Sequence, residues 1–454
     1  MKLKTSLYGK PYQFSGIADV LAKANEPKSA DRFQGIAAAT VSERVAAKVV
    51  LSELTVAEVT ENPVIPPEND EVSRVILDSL NTTIYGEIKS MCLGELRDKL
   101  LSHKLTGSAM LRLSKGMCSE VIAGIAKLCS NMDLVYGASK INVITRCNTE
   151  LGHKGTLSYR CQPNHPADDV EGILVGLMEG LSFGSGDAVI GINPVDDSEE
   201  NVKNIMNAIH EFMLKWRIPT QTCVLGHVTT QMKAVRAGAP VSCIFQSIAG
   251  TQSANDEFGV TADILHEAFE VISRLGTARG PNLLYFETGQ GSEVSLGADK
   301  GVDEMTLESR TYGFGRTFNP FMVNNVSGFI GPETLYDGRE MIRANLEDHF
   351  MAKLHGLPMG MAPCYTNHTG IDQNDQETAT MLLAMAGCNY YMGVPGADDV
   401  MLSYQDTSYH DDATLRELLG RTPAPEFFAW MQGLGLIDSN GILTERGGDA
   451  SIFM

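Results

Sequence analysis

The sequence predicts an α/β fold: a (β/α)8 TIM barrel preceded by a helical N-terminal domain. Three observations carry this. Eight short apolar runs rich in β-branched residues recur from about residue 155 onward. Helical stretches separate them, and strand–helix repetition of this kind means parallel strands with helical crossovers. Several of the runs end in a polar or charged group, and such ends converge on one mouth when a sheet closes into a barrel. An open doubly wound sheet is the structural rival, but it would line those ends along one edge, where fewer could meet.

The first ~150 residues read as helices. Thr40 with Glu43 and Thr55 with Glu58 have capping-box spacing. EVSRVILDSL, YGEIKSMCLGELRDKLLS and CSEVIAGIAKLCSNMDLVYGA place apolar residues three and four apart, which is one face of a helix. No β-alternation of useful length is visible there, and NPVIPPEND (62–70) reads as a Pro-rich joint between helical parts. The expected division is 1–150 helical and 151–454 barrel with C-terminal helices, the active site lying at the C-terminal ends of the strands.

The expected strands lie in TLSYRCQ (156–162), AVIGIN (188–193), TQTCVLGH (220–227), VSCIFQS (241–247), NLLYFETG (282–289), PFMVNNV (320–326), GLPMGMA (356–362) and CNYYMGVP (388–395). Near-continuous apolar strands have both faces covered. The seventh is the weakest, because Gly and Pro interrupt it. Helices are expected in the seven intervening segments, from DVEGILVGLMEGLSF to QETATMLLAMAG.

Composition bounds the function. Hydrophobic residues make up 43% and charged residues 20% of the 454, enough apolar material for a large core and incompatible with disorder. A net charge of −20 disfavours nucleic acid and anionic membrane surfaces. The nine cysteines form no CxxC pair and lie in apolar stretches, as reduced cytoplasmic thiols do. MKLKTSLYGKPYQF lacks the apolar centre of a signal peptide, and no run nears the ~18 apolar residues of a membrane span.

The sequence has no P-loop, and GQGSEV (289–294) breaks the dinucleotide fingerprint at its third glycine position. It reads as a tight turn or a backbone nest. HxH and HExxH are absent, and His227 and His368 stand alone, as hydrogen-bonded wall residues do. No expected strand ends in lysine, which disfavours Schiff-base chemistry. The expected mouth holds Glu287, Arg160, and the neutral groups Gln162, Asn193, Gln246, Ser247 and Asn325. Phe329, Met359, Met361, Tyr391, Met392 and Met401 lie close by in sequence; a methionine stripe is more often core than cofactor wall. Glu287 reads as an anchor for a cationic ligand and Arg160 as a fixed-charge donor to an oxygen; the alternative is that the two form a structural ion pair. Such a mouth suits a small amine-bearing molecule and leaves the hard chemistry to a cofactor.

NTELGHKGTLSYRCQPN, GDAVIGINPV, PTQTCVLGHVTTQ, IFQSIAG, YFETGQGS, VSGFIGPE, LEDHFMAKL, CYTNH and DDVMLSYQ resemble, in order, segments of the large subunit of adenosylcobalamin-dependent ethanolamine ammonia-lyase. The resemblance runs from KLKTSLYG to GGDASIFM. It implies a helical N-terminal region, a (β/α)8 barrel and conversion of a vicinal amino alcohol to an aldehyde and ammonia. That reaction proceeds through an adenosyl radical that takes hydrogen from the hydroxyl-bearing carbon, followed by migration of the amino group. Carried over residue by residue, Arg160, Gln162 and Asn193 hold the substrate hydroxyl, and Glu287 with Gln162 holds the ammonium. Pro194, Gln246, Ser295 and Met401 touch the cobalamin. Ser247, Val326, Phe329, Met392 and Leu402 line the space around substrate and adenosyl group.

The resemblance also implies a small-subunit partner in an assembly of six pairs, a reactivating factor, and a cytoplasmic location that in this family often lies within a bacterial microcompartment. Two positions depart from the family pattern. MGMAPCYTNH carries Ala362 where the family has an aspartate that contacts the amino group, and Gly226 stands where alanine is usual. Ala362 implies weaker ethanolamine binding or a preference for a bulkier amino alcohol such as 2-aminopropanol. A catalytically idle paralogue that binds or assembles is the reading from another class; intact Arg160, Gln162, Asn193 and Glu287 argue against it.

Overall fold

A computed structural model describes residues 1–454. Its centre is a ring of eight parallel strands: β1 (Ser158–Cys161), β2 (Val189–Ile192), β3 (Thr222–Val224), β4 (Ile244–Ser247), β5 (Leu284–Thr288), β6 (Met322–Asn325), β7 (Met359–Met361) and β8 (Tyr390–Val394). Every expected strand is present, including the Gly-interrupted seventh. The hydrogen-bonded order is β3-β2-β1-β8-β7-β6-β5-β4. The Thr222 carbonyl of β3 accepts from the amides of Ser242 and Cys243, just before β4, which draws the two ends of the sheet together. The sheet is therefore a nearly closed barrel rather than an open doubly wound sheet.

The outer helices follow the expected segments: α1 (Val170–Phe183), α2 (Glu199–Trp216), α3 (Val228–Arg236), α4 (Ala262–Leu275), α5 (Glu304–Gly315), α6 (Gly338–Leu354), α7 (Gln373–Met385) and, after β8, α8 (Tyr409–Leu419). Side-chain caps start them: Asp169 accepts from the Gly172 amide at α1, and Asp303 from that of Thr306 at α5.

Strand register decides which side chains fill the barrel. Arg160 pairs with Met392, Tyr390 with Gly360, Gly360 with Asn324, and Asn324 with Glu287, so these residues share the inner face. Gly360 is required there, because a Cβ at this position would sit 2.0 Å from the Tyr390 ring. Tyr285 meets Phe245 edge-on at 5.2 Å inside the same barrel.

The N-terminal region contains helices over Val41–Glu53, Glu71–Asp78, Ser119–Lys127 and Asn131–Ser139, among others. It differs from expectation in two ways. Residues Lys4–Leu7 and Lys10–Gln13 form an antiparallel hairpin. Its strands are only partly buried, and Tyr8 and Gly9 turn the chain at φ 50° and 80°. A Tyr-Gly turn between half-exposed strands carries none of the usual hairpin signals. Second, YGEIKSMCLGELRDKLLS is split into Thr82–Ile88 and Leu93–Leu101. The break occurs where Thr55 bridges Cys92 and the Val56 amide bonds the Met91 carbonyl, a distant pairing that helical periodicity does not contain. Thr55 and Glu58 form the full capping box. At Thr40 only half is made, because the Glu43 carboxylate turns to the Ala39 amide instead.

One apolar core runs through the N-terminal helices and the barrel. Buried ion pairs sew the two together: Lys28 to Glu347 at 2.7 Å, Lys127 to Asp303 at 2.5 Å, and Arg310 to Asp70 at 2.7 Å and to Glu120 at 2.8 Å. Burial works against ionising Glu347, but Lys28 and Arg343 outweigh it and hold the carboxyl down to about 2. No helix of the chain is long and apolar enough to cross a membrane.

Removing one partner of a buried pair strands the other charge. Lys28→Met should therefore lower stability by about 3–5 kcal/mol in urea unfolding, whereas Arg236→Ala, in the exposed pair with Glu267, should cost at most about 1 kcal/mol. The folded pKa of Glu347 lies below its ordinary 4.5, so its contribution is complete above that pH and is lost as pH falls toward about 2. The difference between wild type and Glu347→Gln should shrink over the same window.

Candidate active site

The alternation of β1 aims Arg160 and Gln162 into the barrel and turns Cys161 outward, where its Sγ lies 3.4 Å from the Tyr409 hydroxyl. Arg160 is fully buried. Its Nη1 donates to the Tyr285 hydroxyl at 2.8 Å, and its Nη2 donates to the Gln162 carbonyl and to Asn193 Oδ1, the latter at 3.1 Å. Burial alone would lower the Arg160 pKa, but Tyr285, Cys223 and Glu287 outweigh it and keep the group charged. The guanidinium fits because β2 carries Gly191, where a Cβ would lie 2.7 Å from Arg160 Nε. That Nε has no protein partner.

Glu287, next to last in β5, has Oε2 3.8 Å from Arg160 Nη1, close enough for charge compensation but not hydrogen-bonded to it. Its side chain remains 17% exposed, toward the opening. Burial raises its pKa; Arg160 and the Asn324 amide, 3.3 Å from Oε2, work against that rise. Opposite charges thus face the same space, one locked in the wall and the other at the opening.

A segment after β8 fixes this wall. Asp399 Oδ2 accepts from Gln162 Nε2 at 2.6 Å and from Asn164 Nδ2 at 2.8 Å, while its Oδ1 accepts from the amides of Met401 and Leu402. The Tyr404 hydroxyl is the second partner of Gln162 Nε2, at 3.0 Å. Gln162 is thereby turned with its carbonyl to Arg160, and Asn164 Oδ1 holds the Asn193 amide at 2.9 Å.

Several of the remaining expected residues border the same space. Ser247 pairs with Glu287 in register and faces inward with it. Pro194 is buried just beyond Asn193. Ala362, Cys364, Met392 and Tyr404 form a small buried apolar cluster, with Val326, Phe329 and Leu402 against it. Phe329 meets Tyr404 edge-on at 5.2 Å. A cavity of about 430 Å³ opens beside this cluster, lined by Gln246, Ser247, Glu287, Val326 and Phe329, among others. Ser295 lies further out, its hydroxyl 3.3 Å from Glu333.

Several expectations are corrected. Asn325 does not face the mouth: its amide donates to Glu308, Tyr312 and Asp348 behind β6, and Asn324 is the inward residue. Gln246 turns sideways, accepting from the Val228 amide at the start of α3; it edges the cavity without entering the barrel. Tyr391 points outward and donates to the Thr380 carbonyl of α7. Met359 and Met361 pair with Val323 and Asn325 and so share their outward face. His227 caps α3 and bonds the Phe258 carbonyl, the wall role expected of it. At Gly226 an added Cβ would meet nothing closer than 3.5 Å, so alanine would fit there.

Tyr285, Asn324, Asp399, Tyr404 and Asn164 are contributors that sequence reasoning missed. Tyr285 was findable, since it lies two residues before Glu287 on the same strand face. No group of three His, Cys, Asp or Glu side chains is arranged to hold a metal ion, and the mouth contains no lysine or paired nucleophile. The site can polarise an oxygen and hold a cation.

Comparison with known proteins gives the same direction over the whole chain. A family model described as "Ethanolamine ammonia lyase large subunit (EutB)" matches residues 12–446. The ethanolamine ammonia-lyase large subunit of Escherichia coli K12 is 53% identical over 453 residues, covering 100% of both chains. That of Salmonella typhimurium LT2 is 52% identical over the same length.

The in-and-out assignment of the two asparagines is testable by urea unfolding. Asn325→Ala leaves Glu308 and Asp348 short of a buried donor and should cost about 1–3 kcal/mol. Asn324→Ala, which removes only the 3.3 Å bond to Glu287 and a 4.0 Å contact to the Met392 sulfur, should cost clearly less.

Proposed function

The chain belongs to the family of ethanolamine ammonia-lyase large subunits, carbon–nitrogen lyases, and we propose that it deaminates ethanolamine or a similar vicinal amino alcohol to an aldehyde and ammonia with adenosylcobalamin and a small subunit. One observation carries this reading: a buried guanidinium and a partly open carboxylate lie 3.8 Å apart at the barrel mouth. A molecule with a hydroxyl and an ammonium on adjacent carbons complements that pair.

In this reading Arg160 donates to the substrate oxygen, with Gln162 and Asn193 beside it. The guanidinium stays protonated throughout and stabilises negative charge that grows on that oxygen. Glu287 holds the ammonium electrostatically and forms no covalent bond, so the amino group can move to the neighbouring carbon while its charge remains compensated. Asp399 and Tyr404 keep Gln162 oriented for both tasks.

The cofactor fits the donor set of this chain. The mouth has no proton-transfer pair or nucleophile able to break a C–N bond at an unactivated carbon. Its rim offers an apolar surface in Val326, Phe329, Met392 and Leu402, with Met401, Pro194, Gln246, Ser247 and Ser295 around it. When bound, adenosylcobalamin supplies homolysis of its cobalt–carbon bond and hence the carbon radical that the reaction needs. An assembly of six large/small pairs, a reactivating factor and residence in a bacterial microcompartment belong to the same proposal.

Ala362 supports a second reading, a shifted substrate. Its neighbours Cys364, Met392 and Tyr404 are buried and largely apolar, a surrounding that favours a methyl over a charge. The decisive experiment mixes the chain with its small subunit and adenosylcobalamin and measures ammonia from ethanolamine and 2-aminopropanol, with an optical spectrum for cob(II)alamin. Substrate-dependent cob(II)alamin and ammonia are expected; ammonia release without the cofactor, or none under any condition, overturns the proposal. Glu287→Gln should raise KM about ten- to a hundredfold. A methyl well buried beside Ala362 should favour 2-aminopropanol about fourfold.

A further inference from the structure

Asp406 is a buried acid at the mouth that none of the roles above uses. Its position follows from two pairings. Thr407 pairs with Gly393 of β8, which brings Asp406 level with Met392 on the inward-facing side of that strand. Gln405 pairs antiparallel with Tyr365, which places Asp406 across from Cys364. Met392 and Cys364 are buried members of the cluster that contains Ala362, so Asp406 enters the same small space from the neighbouring segment.

The chemistry of this carboxylate is incomplete. Asp406 is 1% exposed. Its Oδ1 accepts from the adjacent Thr407 amide at 2.8 Å, while Oδ2 is buried and has no donor at all. Asp399, the neighbouring acid of the same segment, contrasts with it: both Asp399 oxygens carry two donors each. A buried carboxylate oxygen without a donor is costly unless a ligand completes it. Burial pushes the Asp406 carboxyl well above the usual carboxylate range, and among the charged groups acting on it Arg160 is opposed by Asp399 and Glu287. A cation with hydrogen-bond donors would both complete Oδ2 and favour its ionised form, and an ammonium group offers three donors.

We propose that Asp406 is a second anionic anchor for the substrate amino group, shared with Glu287 and supplied from the segment after β8 in place of a carboxylate at position 362. The inference rests on the amino-alcohol reading and deepens it: Ala362 provides room and Asp406 provides charge. Asp406 then determines specificity for an amine at that carbon, while Arg160 reads the oxygen.

The test uses the two-subunit enzyme and the Asp406→Asn variant, which preserves side-chain volume. Steady-state kinetics on ethanolamine are paired with equilibrium dialysis of ethanolamine and of 1,2-ethanediol against enzyme loaded with hydroxocobalamin, which cannot turn over. The variant should raise the KM and the dissociation constant for ethanolamine about ten- to a hundredfold and leave that for 1,2-ethanediol within about twofold. Unchanged ethanolamine binding overturns the proposal while leaving the deamination reading intact. Equal loss of both ligands also overturns it, in favour of a structural role. A wild-type enzyme that neither deaminates nor binds an amino alcohol overturns both readings at once.

Discussion

A guanidinium with no solvent contact sits inside the barrel, and the architecture of the mouth is the set of conditions for tolerating it. An unpaired charge in such a place costs several kcal/mol. Arg160 avoids this through Tyr285, Gln162 and Asn193, with the Glu287 charge nearby. Each partner brings its own requirement. Gln162 must present its carbonyl, so its amide is held by Asp399 and Tyr404. Asn193 is held through its amide by Asn164. The side chain itself needs the missing Cβ of Gly191. The site is therefore oriented before any ligand arrives, which is the condition for electrostatic stabilisation without reorganisation during a reaction.

The wall behind the mouth connects to the rest of the molecule through α5 and α6. Adjacent residues of α6 serve different networks: Asp348 accepts from Asn325, Ser327 and Gln290 behind β5 and β6, and Glu347 pairs with Lys28 and Arg343. On α5, Glu308 accepts from Asn325 while Arg310 reaches Asp70 and Glu120 of the N-terminal helices. These buried polar links have few alternative geometries in a low-dielectric interior. They fix how the N-terminal helices lie on the barrel, and through β6 they fix the strand that carries Asn324.

Much of this was legible in the sequence. Strand–helix alternation gave all eight strands and their helices because apolar β-branched runs and a 3.6-residue period are local properties. Arg160, Gln162 and Glu287 stood out because they are polar groups at the ends of apolar runs. Asn324 and Asn325 show where that reasoning stops: two identical residues at a strand end carry no mark of which faces inward, and only the pairing of Asn324 with Glu287 decides it. The Tyr-Gly hairpin near the N-terminus and the break between Ile88 and Leu93 were hidden for the same kind of reason, since partner segments rather than local pattern produce them.

The sequence by itself determined the fold class, most helices of the N-terminal region, the charged pair at the mouth and, through ordered resemblance, the family. Tertiary structure decided which groups surround that pair. Asp399, Tyr404 and Asp406 lie beyond the last strand, in a segment without useful periodicity, and they reach the mouth only because Thr407 extends alongside β8 and Gln405 pairs with Tyr365. Side-chain period is encoded residue by residue along the chain, whereas burial and charge environment depend on which distant segments become neighbours. An aspartate between a glutamine and a threonine reads as an ordinary loop residue until both of its neighbours are paired and its carboxylate is buried, level with Met392 and across from Cys364.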